Sequence, residues 1–193
     1  MSLWGASDAD ESKPKNLTTA EKKLVFASTR GWVQEPNNVR TGSDNASGQP
    51  EVLVAMRKLT TKLGAATISS VDLVTTEWKV DEGGTLTTLV RYNEAVDVVE
   101  AGSGLKMNVE NDSRANLTLR YASGTGTNEL TFTLVIGAAD AAIQAGDVLS
   151  IPEEDLVKAG STSVKDAGTS TVSEVSITAA QGTAAGTVTA TAS

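Results

Sequence analysis

The chain contains no Cys and no His among its 193 residues, and that decides most of the chemistry open to it. Disulfides, thiolate or imidazole metal sites, cysteine nucleophiles and histidine acid–base work are excluded together. Any catalysis would rest on Asp, Glu, Lys, Ser, Thr or Tyr. Asp81, Glu82, Asp97 and Asp166 are the acidic candidates for calcium, which takes about six to eight oxygen ligands. They do not form an alternating acidic loop, and a solvated acidic rim is the simpler account of them. Gly102-Ser103-Gly104 and Gly124-Thr125-Gly126 lack the flanking strand, the helix and the following Lys-Ser/Thr of a phosphate loop, so they are turns. No spacing picks out a carboxylate pair or a Ser/Lys couple, and neither an enzyme nor a cofactor is expected.

Charge and aromatic placement point instead to contact with other proteins. The formal net charge of −8 is uneven: residues 1–64 hold 9 Lys/Arg against 7 Asp/Glu, and residues 65–193 hold 7 against 17. A mildly basic front thus precedes an acidic body, which argues against a nucleic-acid surface. No apolar run approaches the roughly 20 residues needed to cross a bilayer, so no membrane partner is expected. The first residues lack the basic start and apolar core of a signal peptide, and export by the general secretory route is not expected. Trp4 sits in a polar, charged arm where an exposed indole gains nothing. It either folds back onto its own domain or docks on another subunit. Lys13 and Lys15 flank Pro14, which favours an extended backbone. Arg30, with Arg40, Lys22 and Lys23, is either solvated charge or meets an acidic shell. Trp32 packs in the core or between segments. The residues set for partner contact are accordingly Trp4, Lys13, Lys15, Arg30 and Trp32.

The elements that must hold these residues are strands. Leu86, Thr88, Val90 and Tyr92 share one face of a period-two alternation, as do Leu117, Leu119 and Tyr121, and then Leu130, Phe132, Leu134 and Ile136. Residues 123–128 turn the chain between the last two runs, a hairpin pattern. Aromatics at 4% and an abundance of Thr, Ser, Val and Gly suit an all-β sandwich. Three parts are expected: an arm and attachment segment at 1–64, an antiparallel β-sandwich at 65–178, and a low-complexity tail or edge strand at 179–193. Within the front, Thr18 to Glu21 fits a capping box, and residues 24–34 form a strand with a glycine break. Residues 51–63 begin as a strand, although Val52, Met56, Leu59 and Leu63 also stand at helical spacing. Further strands are expected at 67–75, 77–80, 93–98, 105–109, 146–151 and 172–178, with a short helical crossing at 138–144.

Leu86, Val90, Tyr92, Glu94, Val96 and Val98 resemble the opening of the bacterial Ig-like repeats found in very large cyanobacterial and marine bacterial surface proteins. Tyr121, Ser123, Gly124, Gly126, Thr127, Leu130 and Phe132 are similar to the hairpin of the same repeats. Val164, Asp166 and Gly168 resemble their closing motif, with Thr169 where asparagine is usual. This likeness spans residues 66–178 and implies an Ig-like sandwich. Residues 1–5, 11–15, 27–33 and 51–55 look like segments of virion structural proteins in large tailed phages of marine cyanobacteria and other marine bacteria. The second resemblance implies a multi-copy capsid decoration protein located in the virion, its partners other virion proteins and itself. The alternative is a tail- or fibre-associated module that binds a glycan or receptor on the host surface. On this reading, Trp4→Ala weakens incorporation into particles, measured by quantitative blotting, while leaving the melting temperature of the isolated protein unchanged.

Overall fold

The computed structural model describes residues 13–36, 45, 47–102 and 104–192. The first element, α1 (Thr19–Lys23), starts where the capping box lies: the Thr18 hydroxyl accepts from the Glu21 amide, and the Glu21 carboxylate accepts from the Thr18 amide. The stretch expected to be one strand broken at a glycine is a hairpin of β1 (Val25–Ser28) and β2 (Gly31–Gln34). Gly31 makes the reversal possible. It lies at φ +128°, and a Cβ there would fall 2.0 Å from the Val54 carbonyl oxygen. β3 (Glu51–Ala55) pairs antiparallel with β2, and a 3-10 turn follows at Leu59–Thr61. The strand therefore prevails over the helical spacing at 51–55. Met56 and Leu59 still turn inward, joining Leu17, Val25, Ala27 and Trp32 in a small apolar cluster of the front segment.

The body contains β4 (Ile68–Leu73), β5 (Trp78–Lys79), β6 (Gly84–Val99), β7 (Leu105–Asn111), β8 (Leu117–Ser123), β9 (Thr127–Ile136), β10 (Val148–Ser150), β11 (Val157–Lys158), β12 (Ser163–Asp166), α2 (Ala179–Ala185) and β13 (Thr187–Thr191). Among the described residues the fold is all-β, with one large mixed sheet ordered β3-β2-β1-β6-β9-β8-β7-β10-β13-β5; β4 and β12 also pair with β6, and β11 with β7. Alternation sets its inner face. Leu86 stands opposite Leu134, Thr88 opposite Phe132 and Val90 opposite Leu130, and the first strand's members are fully buried. Tyr121 meets Phe132 edge-on with ring centroids 6.1 Å apart. These residues and those of β4, β7, β10 and β13 enclose a single larger core.

Several expectations change once strands have partners. The run at 93–98 continues β6, making one sixteen-residue strand with different neighbours along its length. Residues 138–144 form turns rather than a helical crossing: Ala139 lies at φ 54°, and the Asp140 carboxylate accepts from the Ala142 amide at 2.9 Å. The expected closing strand at 172–178 makes only two isolated bridges, Lys165 to Val172 and Asp155 to Ser176. The tail departs furthest from expectation. Thr178 and Gln181 cap α2 reciprocally, and β13 lies between β10 and β5 with Val188 and Ala190 buried. Small residues suit it because two flanking strands supply the contacts its own side chains lack. Val188→Asp therefore costs on the order of 3 kcal/mol of body stability, checked by urea denaturation; a tail outside the fold would tolerate the change.

Candidate functional site

The front and the body meet at one irregularity in β6. Its pairing with β9 runs regularly to Arg91 opposite Glu129 and then jumps to Val96 opposite Thr127. That jump bares the edge of β6 at 92–95, and β1 fills it in parallel, Ala27 beside Glu94. The whole front sheet is thereby spliced onto the body's sheet.

A cleft of about 500 Å³ opens on one side of this splice, lined by Phe26, Pro36, Pro50 and Ala95 together with Glu35, Asn128 and Glu129. Its polar wall belongs to a network joining both segments. Lys23 Nζ lies 2.6 Å from Asp72 Oδ1. The Arg91 guanidinium bridges Asp72 and Glu129. Asn128 Nδ2 donates to Glu35 Oε1 at 2.7 Å. Burial, opposed by the Asn128 hydrogen bond and reinforced by the neighbouring Glu129 charge, pushes the Glu35 carboxyl up to about 7. Burial likewise lowers the Lys13 ammonium to about 8 against the attraction of Glu35. Pyrrolidine and phenyl faces beside hydrogen-bonding carboxyl and amide groups suit a ligand with both apolar and hydroxyl or amine faces.

The other side of the splice is closed. Trp32, Ala27 and Glu94 are lateral neighbours in the sheet and so share a face, with Gln34 two residues along from Trp32. All four are buried. Among the described residues, the indole N–H of Trp32, both amide atoms of Gln34 and both carboxylate oxygens of Glu94 have no hydrogen-bond partner. Burial, then the nearby Asp166 charge, raises the Glu94 carboxyl to about 8. Asp166 is engaged in its own turn, accepting from the Gly168 and Thr169 amides and the Thr169 hydroxyl. Glu94 is thus held largely protonated at neutral pH.

The residues expected to meet partners are scattered. Trp4 and Arg40 lie outside the described residues. Lys13 is half-buried and donates to the Lys22 carbonyl at 2.8 Å; Lys15 is exposed. Arg30 is exposed in the turn between β1 and β2, whereas Trp32 is 2% exposed and faces the front cluster. Burial removes Trp32 from any surface contact. Asp81 and Glu82 are exposed before β6, Asp97 is exposed on β6, and Asp166 is buried on β12; among the described residues no three acidic groups converge for a metal. Glu35 and Asn128 carried no sequence signal, because the contact between them spans 93 positions. Glu94 did carry one: it falls on the inward phase of Leu86, Val90, Tyr92 and Val96. No protein-family model, curated protein or solved structure matches the chain.

The raised carboxyls fix a pH dependence. Between the ordinary glutamate value of 4.5 and the folded values of about 7 and 8, the native state binds more protons than the unfolded chain, so stability falls as pH rises. Lys13 contributes in the opposite sense only above its folded value of about 8. Thermal melts should show a loss from pH 5 to pH 8. Glu94→Gln, neutral at every pH, should remove the Glu94 share of that loss, roughly 1–2 kcal/mol at pH 8 after allowance for screening, and leave the Glu35 share. A slope identical in the variant would contradict the assignment.

Proposed function

We propose that the chain is a non-enzymatic structural protein of a tailed-phage virion, a multi-copy capsid decoration protein whose acidic body is an outward-facing Ig-like β-sandwich. The observation that carries this reading is the splice: a small front sheet with its own apolar cluster continues the body's sheet and, among the described residues, ends in β3. Such a design fixes the orientation of one part relative to the other, which suits a protein that grips a surface with one end and displays the other. The motif resemblances of residues 1–56 and 66–178 assign those two ends. The front carries the excess of Lys/Arg and the body the excess of Asp/Glu, matching attachment below and a self-repelling surface above.

The second reading, a tail- or fibre-associated module for a host glycan or receptor, is favoured by the cleft beside Glu35 and Asn128. Apolar rings next to hydrogen-bonding carboxyl and amide groups are the usual lining of a sugar site. Copy number separates the two. Quantitative mass spectrometry of purified particles should count this chain in proportion to the major shell protein. A few copies per particle would overturn decoration in favour of the fibre, and absence from particles would overturn both.

A further inference from the structure

The cleft beside the splice has few hydrogen-bond donors to spare. Pro36 and Pro50 carry no N–H, and the amides of Glu35, Gly126 and Thr127 donate to the carbonyls of Leu24, Val96 and Gly124. The Glu129 amide donates to the Thr127 hydroxyl at 3.1 Å. That hydroxyl lies 2.7 Å from the Gly124 carbonyl oxygen and 2.9 Å from that of Glu129, so its single proton is committed to the backbone. Asn128 gives an amide proton to Glu35. Acceptors are plentiful by contrast. The carboxyl groups of Glu35 and Glu129 and the side-chain carbonyl of Asn128 belong to the polar wall, and a side-chain hydrogen bond joins Glu35 to Glu129.

The cations nearby are spent as well. Among the described residues no basic side chain lines the cleft. Arg91 is held between Asp72 and Glu129, and the Lys13 ammonium, attracted by Glu35, donates to the Lys22 carbonyl. An anionic ligand would therefore meet two carboxyl groups with no free cation to offset them, and an ammonium ligand would compete with cations already in place. A ligand that brings its own donors without charge meets neither obstacle. We propose that the cleft takes an uncharged sugar, whose hydroxyls donate to Glu35 and Glu129 and whose C–H face packs on Phe26, Pro36 and Pro50, and that it turns away uronic and sialic acids. This inference rests on the reading of the cleft as a host-glycan site and adds which glycans it admits. Selection comes from the wall's shortage of donors: the carboxylate of an acidic sugar would lose its water and find nothing in return.

Chemical-shift titration of the full, isotope-labelled chain tests it, with methyl glucoside, methyl galactoside and methyl mannoside set against glucuronic acid and sialic acid. Saturable shifts at Phe26, Ala95 and Asn128 are expected with one or more of the neutral glycosides, and both acids should bind several-fold more weakly. Glu129→Gln should narrow that gap, because it frees the Arg91 Nε–H while Asp72 still holds the guanidinium. Comparison of melting temperatures shows that the variant folds. An acid that binds as tightly as the neutral glycosides would overturn the proposal and leave the host-glycan reading standing, as would a gap unchanged in the folded variant. No response of the cleft residues to any of these sugars would overturn the glycan reading of the cleft and this inference with it.

Discussion

The structure depends on the continuity of β6. Sixteen residues of one strand serve β4 and β9 along the first half and β12 along the second, and between them admit β1 at Glu94. A strand can do this only where its pairing with one neighbour lapses, because an edge already bonded has no donors left to offer. The jump in register at 92–95 creates the vacancy. Without it the front segment would have no edge to join, and the chain would be two separate bodies on a tether.

Two apolar clusters meet this splice, and buried polar groups stand among them. Trp32, Gln34 and Glu94 bury hydrogen-bonding atoms that find no partners among the described residues. Such groups cost stability relative to an aliphatic filling, so their presence needs another reason. Burial, then the nearby Asp166 charge, favours the neutral form of Glu94 there. The raised Glu94 carboxyl makes a weakening of the splice at higher pH the expected outcome. On the opposite face, the network from Lys23 through Asp72 and Arg91 to Glu129 ties the same two segments by charge. The front is thus tied to the body by titrating carboxyls, Glu94 at the splice and Glu35 on Asn128, as well as by ion pairs.

The outer parts of the molecule follow from that anchoring. Because β1 is fixed to β6, the hairpin places β2 and β3 progressively further from the body, and the last strand has nothing beyond it among the described residues. At the far end, β5 and β13 close the order in parallel, with Trp78 beside Ala190. A chain whose tail is mostly Ala, Thr and Gly completes its own sheet there.

Alternation alone determined the all-β class, the inward residues of β6, β8 and β9, and the hairpin at Gly124 and Gly126. These depend on spacings of two residues and on the left-handed backbone that glycine permits, both of which are local. The capping box at Thr18 was legible for the same reason. The fate of residues 179–193 was not, since small residues reveal nothing about burial until flanking strands cover them. The tertiary structure also decided that Glu35 faces Asn128 and that Ala27 lies beside Glu94, because those contacts join positions that only the lapse in β6 pairing brings together. A sequence records which face a side chain occupies on its own strand; which strand lies alongside is settled by the competition of all edges for partners.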